Sequence, residues 1–193
     1  MKNIIDVSTQ KEIKFTKEDL SILIHGKEHS GASLLSVTIA ATLHKAGNKL
    51  CIFTAYPMAK EEFLKQILNP EDVFYLEDED KFNEALKFQT IIVQSGNIDL
   101  FINIISKYEL MKDRVIFIKN IDTINIPIFK LVESYMLIVS GDFELNLIQQ
   151  YFKKITYNTK IFLSSMSEEI IPPLEKYQAF VKSRFGEKVI FVQ

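Results

Sequence analysis

The order of elements written into this chain predicts an α/β fold, a doubly wound and mainly parallel sheet held between two layers of helices. Short β-branched and aromatic runs recur along the sequence, and several are apolar without alternation: IIV, VIFI, MLIV, IFL and VIFV. Such runs suit strands buried on both faces, as in a parallel sheet. Segments of helical spacing lie between them, so strand and helix alternate over nearly the whole chain.

Taken in order, the opening segment through about Asp19 breaks up its apolar residues with charges and reads as an N-terminal arm or edge strand before the core. Strands are then expected at Ser21–His25, Lys49–Thr54, Val73–Leu76, Thr90–Gln94, Arg114–Ile118, Tyr135–Ser140, Lys160–Ser164 and Lys188–Val192. Helices are expected at Ala32–Ala46, Ala59–Leu68, Asp80–Phe88, Ile98–Met111, Phe143–Lys154 and Leu174–Arg184. Pro172-Pro173 is read as opening the last of these, since proline is tolerated in a first helical turn. The acidic run Glu77-Asp78-Glu79-Asp80 reads as a solvated loop that starts a helix. Three strands end in small polar residues, at Gln94-Ser95-Gly96, Ser140-Gly141-Asp142 and Ser164-Ser165. Capping and turns explain most of these, although open parallel sheets also bind ligands at that edge.

A chain of 193 residues, 47% hydrophobic and 25% charged, fits one globular domain spanning 1–193. The formal net charge of −2 provides no global field for nucleic acid or an anionic membrane. One cysteine, Cys51, excludes an intrachain disulfide and points to a reducing compartment. No run approaches the roughly 18 apolar residues of a membrane span, and the N-terminus lacks a signal-like stretch. The expectation is therefore a cytoplasmic protein without membrane insertion.

The most informative stretch is SILIHGKEHSGASLLSVTIAATLHKAGNKLCIFTA. A strand runs into Gly26-Lys27-Glu28-His29-Ser30-Gly31-Ala32-Ser33, and a helix and a second apolar strand follow. Glycines at 26 and 31 permit backbone geometry that a Cβ would hinder, so successive N–H groups can face one anion. The helix beginning near Ala32 adds its orphan N–H groups and the positive end of its dipole.

This strand–loop–helix resembles the P-loop of the P-loop NTPase superfamily, G-x-x-x-x-G-K-[ST], with Gly26, Gly31 and Ser33 in register. The resemblance is to RecA-like and signature-lysine ATPases, with a degenerate Walker A motif. It implies a three-layer αβα fold and a nucleotide or phosphate site at Gly26, Lys27, His29, Ser30, Gly31, Ala32 and Ser33. The implied cofactor is ATP or ADP with Mg²⁺, and Ser33, Asp122 and Asp142 are the candidate metal ligands. Lys27 follows the first glycine, the place of the extra lysine in signature-lysine ATPases, but it reads first as a solvated loop lysine.

Two departures weaken the catalytic expectation. The P-loop lysine position is Ala32, which has neither charge nor donor. An acidic residue should close an apolar strand to serve Mg²⁺ and water, yet FQTIIVQSG places Gln94 there and RVIFIKNID places Lys119 and Asn120. Loss of both points to lost catalysis, so no catalytic residue is assigned and ATP hydrolysis is not expected.

His25, His29 and His44 complete no zinc pattern, and Cys51 in KLCIFTA reads as a buried, inert thiol. Aromatics with lysines at Tyr151–Lys154 and Tyr177–Arg184 read as amphipathic helices before they read as a nucleic-acid platform. Three functions follow. The first is a non-catalytic binding or assembly module with a protein partner or a homo-oligomer. The second is an unconventional ATPase using Lys27 or a partner's basic residue, and the third a small-molecule enzyme on another doubly wound fold. The pattern of losses favours the first.

Overall fold

A computed structural model of the chain describes residues 2–27, 30–54, 57–67, 69–93, 98–119, 136–141, 158–163, 172–175, 178–183 and 186–193. Their strands are β1 (Ile4–Asp6), β2 (Ile22–His25), β3 (Lys49–Thr54), β4 (Val73–Leu76), β5 (Thr90–Val93), β6 (Arg114–Lys119), β7 (Met136–Gly141), β8 (Thr159–Phe162), β9 (Gln178–Ser183) and β10 (Gly186–Val192). The helices are α1 (Ala32–Lys45), α2 (Pro57–Gln66), α3 (Phe82–Ala85), α4 (Ile98–Ser106) and α5 (Tyr108–Met111).

The described strands form one ten-stranded sheet in the order β1-β10-β9-β8-β2-β7-β6-β3-β5-β4. From β8 to β4 every neighbouring pair is parallel, and β9, β10 and β1 extend the sheet with antiparallel pairs. The parallel part follows from the apolar runs: β2, β5 and β6 are buried at every residue. On one face Ile22, Ile24, Ile52, Phe117 and Ile138 pack with Leu35, Val37 and Ile39 of α1 and Phe63 of α2. The residues that alternate to the other face, including Cys51, Phe53, Ile116 and Ile118, are equally buried. The mixed α/β architecture with a parallel sheet flanked by helices is the one expected from the sequence.

Helix α1 is buried nearly all round, which explains why its small and hydroxylated residues do not form a clean stripe. Its inward hydroxyls are satisfied locally: Ser36 Oγ donates to Ser33 O, Thr38 Oγ1 to Leu34 O and Thr42 Oγ1 to Thr38 O, at 3.0, 2.9 and 2.9 Å. At its last turn His44 Nδ1 lies 2.8 Å from Thr90 Oγ1 on β5, tying the helix to the sheet. Burial holds the His44 pKa below the usual imidazole value.

Three expected elements differ. The helix expected over Leu174–Arg184 is replaced by strand β9, and Pro172–Glu175 precede it without helix. Its Ala179, Phe180 and Val181 are buried between β8 and β10, with Phe180 opposite both Phe162 and Val189. Pairing on two sides overrides the local helical spacing. The helix expected over Asp80–Phe88 is a 3-10 turn at Glu79–Lys81 followed by the single turn α3. Arg114 takes the carbonyls of Leu86 and Phe88 as acceptors at 2.9 Å each, and so holds the chain out of a helical path. The segment expected as one helix, Ile98–Met111, breaks at Lys107 into α4 and α5, where Lys107 Nζ reaches Glu79 at 2.8 Å. In the acidic run, Asp78 Oδ1 accepts from Asp80 N and starts the short turn. The helix expected over Phe143–Lys154 lies outside the described residues.

Candidate phosphate-binding site

Strand β2 delivers the chain to the carboxyl edge of the sheet, where Gly26 opens the loop that leads into α1. A Cβ on Gly26 would fall against Ser30 Oγ and within 2.7 Å of Ala32 Cβ. Gly26 is thus required for the close approach of the two ends of the loop. Gly31 has φ 92°, the left-handed conformation that glycine adopts cheaply, and it caps α1 with its carbonyl accepting from Leu35 N at 3.0 Å. Ser30 N donates to Lys27 O at 3.1 Å, closing the loop as a tight turn.

Inside the turn, Ser30 Oγ accepts from Ala32 N at 3.4 Å, a long bond that an anion's oxygen could readily replace. The amides of Ser33 and Leu34 are the other orphan donors of the first turn. Ala32 is buried with its methyl against Gly26, whereas Lys27 and Ser33 are exposed. Of the residues singled out in the sequence, Gly26, Lys27, Ser30, Gly31, Ala32 and Ser33 therefore meet at one corner of the sheet edge. His29, Asp122 and Asp142 lie outside the described residues.

Next to this corner the sheet presents a polar row. Ile24 of β2 pairs with Ser140 of β7, Ser140 with Lys119 of β6, and Lys119 with Thr54 of β3. Residues in register across parallel strands share a face, and here it is the face covered by α1. Ser140, Lys119 and Thr54 are all buried, with Lys119 only 4% exposed. Lys119 lines a small apolar cavity with Val37, Ile52, Thr54, Phe63, Ile92 and Phe117. Burial pushes its pKa down to about 8, and no described carboxylate forms an ion pair with it. Val37 stands one helical turn beyond Ser33, so both lie on one flank of α1.

In the sequence Lys119 registers only as a missing acid at a strand end. Its importance comes from burial and from the row it shares with Ser140 and Thr54, and these depend on strand order. A lysine closing an otherwise apolar run was the available signal. Cys51 lies in the sheet interior, fully buried, with its thiol pushed up to about 12 by desolvation, which suits an inert side chain. Among the described residues no group of three or more His, Cys, Asp and Glu is arranged to hold a metal ion. A cleft of about 280 Å³ lined by Phe15, Thr16, Thr159 and Ser183 opens at the amino-terminal edge of the sheet, away from the loop. No described helix is long and apolar enough to cross a membrane.

No protein-family model and no curated sequence matches the chain. Solved structures do. The genome packaging NTPase B204 from Sulfolobus turreted icosahedral virus 2, in complex with ATPγS, superposes with a TM-score of 0.63 at 13% identity, covering 91% of this chain and 98% of that one. A second solved ATPase gives 0.61 at 8% identity over 98% of this chain and 85% of its own. The cytoplasmic domain of the type VII secretion ATPase EccC from Thermomonospora curvata gives 0.61 at 10% identity, with 99% of this chain on 26% of that one. At these identities the likeness concerns architecture alone. The chain shares the overall α/β fold of these ATPases, with its glycine loop between β2 and α1.

Proposed function

We propose that this protein is an ATPase-like module that holds the phosphates of a nucleotide without hydrolysing it, and that serves as a binding or assembly component for a protein partner or further copies of itself. The observation that carries this reading is Ala32. The position where the resembling loops carry a lysine holds a methyl group packed on Gly26, so nothing at that point of the loop can stabilise charge developing on a transferred phosphoryl group. What supports phosphate binding is the described backbone: Gly31 in the left-handed region, the close approach at Gly26 and the orphan amides of α1. B204 has been solved with ATPγS, AMPPCP and AMP, which makes adenine nucleotides the first ligands to try.

The test is calorimetric titration of ATP and ADP, with and without Mg²⁺, accompanied by a hydrolysis assay. Saturable binding that Gly31→Asp abolishes, with no turnover, is the expected result, and circular dichroism checks that the variant folds. Turnover by the natural chain that disappears in Lys27→Ala would replace this reading with an unconventional ATPase. An absence of binding at millimolar nucleotide would leave the loop as architecture only.

A further inference from the structure

A cleft of about 280 Å³ lies between the N-terminal arm, residues 13–19, and strands β8, β9 and β10. Strand register sets its sheet side. Thr159 pairs with Ser183, and Val181 with Lys188, so these four side chains share one face with Ile190, two residues beyond Lys188. Val181 and Ile190 are buried on that face, and the arm adds buried Phe15 and half-buried Ile13. The cleft therefore has an apolar body with polar groups around it, which is how small-molecule sites are built.

Three of those polar groups have unused capacity. Thr159 is only 1% exposed, yet its hydroxyl has no hydrogen-bond partner among the described residues. A buried hydroxyl in that state is disfavoured, and a ligand atom would satisfy it. Lys188 is half-buried and forms no ion pair among the described residues. Asp19, on the arm, accepts from Thr16 N and Thr16 Oγ1 with Oδ2, at 2.8 and 3.2 Å, and its Oδ1 takes no hydrogen bond among the described residues. A cation on the sheet and a carboxylate on the arm thus line one apolar cleft without pairing with each other. The remaining charged groups of the lining, Lys14 and Glu18, are exposed, and Lys14 is engaged with Glu12 at 3.8 Å.

We propose that this cleft binds a free α-amino acid with an apolar side chain. Lys188 and the Thr159 hydroxyl donate to its carboxylate, Asp19 Oδ1 accepts from its ammonium, and its side chain lies against Val181, Ile190 and Phe15. A zwitterion meets both charges of the cleft at once, whereas a simple acid would leave Asp19 unmatched and a simple amine would leave Lys188 unmatched. The cleft is also remote from the Gly26–Ser33 loop. Thr159 pairs with Ile22, the first residue of β2, whereas the loop follows His25 at the other end of that strand. Binding here therefore does not depend on whether the loop holds a nucleotide.

The experiment is calorimetric titration of L-leucine and L-phenylalanine into the full chain, with N-acetyl-leucine and leucinamide as probes that each lack one charge. The proteins are the natural chain, Lys188→Met, Thr159→Val and Ser183→Trp, and thermal melts confirm that each variant folds. At least one of the two amino acids is expected to bind saturably, and each single-charge probe to bind about tenfold more weakly or worse. Lys188→Met should weaken binding about ten- to a hundredfold, the value of a charge-assisted hydrogen bond, and Thr159→Val about two- to tenfold. Ser183→Trp fills the cleft and should abolish binding. No saturation by either amino acid at tens of millimolar overturns the proposal. N-acetyl-leucine held as tightly as leucine overturns recognition of a zwitterion, a result that the natural chain alone can give even if a variant fails to fold. Binding that survives both Lys188→Met and Ser183→Trp places the ligand elsewhere and overturns the site.

Discussion

Strand β6 has a buried cation at each end, and the molecule treats the two in opposite ways. Arg114 at the amino end is 1% exposed and its fork is taken up by four backbone carbonyls from β3 and the α3–β5 connection. Lys119 at the carboxyl end is almost as buried and has no comparable acceptors among the described residues. Arginine suits the first task because its planar fork satisfies several acceptors in a fixed geometry, while lysine is a flexible point charge. The cation at the amino end of β6 is therefore taken up by the fold itself. The cation at the carboxyl end lines a small apolar cavity with Val37, Ile52, Thr54, Phe63, Ile92 and Phe117.

Removing each cation tests this contrast. Arg114→Met should cost about 3–5 kcal/mol, since buried carbonyls would lose their donors together. In urea this appears as a lower midpoint with an unchanged slope, and in heat as a melting temperature lower on the order of 10 °C. A melt within two or three degrees of the natural protein would break the comparison at its structural end.

Lys119→Met should act in the opposite sense, raising stability by about 1–3 kcal/mol in the absence of ligand. A pH signature accompanies it. The folded pKa of Lys119 is depressed to about 8 while the unfolded lysine keeps its proton to 10.5, so the unfolded state binds more protons between those values. Stability of the natural chain therefore gains an increment as pH rises through that window, and the variant lacks it. Denaturation curves at pH 7.5, 9 and 10.5 for both proteins would show it, and parallel pH profiles would mean that Lys119 is solvated after all.

Gly31→Ala should cost about 1–2 kcal/mol, because φ 92° is strained for any residue with a Cβ. Nucleotide affinity should fall with it, which separates an edge organised for a ligand from an ordinary helix start. Smallest is Lys49→Ala. Lys49 Nζ sits 2.7 Å from Asp113 Oδ2, next to Arg114, but both side chains are about half exposed. Its removal should change stability by less than about 1 kcal/mol. A larger loss would show that Arg114 depends on the neighbouring pair.

The loop and its flanking elements were legible because their signals are local. Gly26, Gly31 and Ser33 are spaced along eight residues, and the strand before and the helix after follow from continuous apolar runs and small residues. The misread region, Leu174–Arg184, has the opposite character. Phe180 and Val181 fit a helical face as well as a strand, and only partners distant in sequence, Phe162 and Val189 among them, select the strand. In the sequence Arg114 only opens an apolar run, and no local signal links it to the helix expected at Asp80–Phe88.

The sequence by itself determined the alternation of buried strands and helices, the glycine loop between β2 and α1, and the absence of a lysine at position 32. Each depends on residues within one or two turns of chain. Strand order was decided only in the tertiary structure, and with it the row Ser140–Lys119–Thr54 facing α1. These three residues are far apart in sequence and become neighbours because β7 and β3 both pair with β6. Whether a lysine is an exposed solubilising charge or a buried cation within the sheet is a matter of what surrounds it, and surroundings are set by packing.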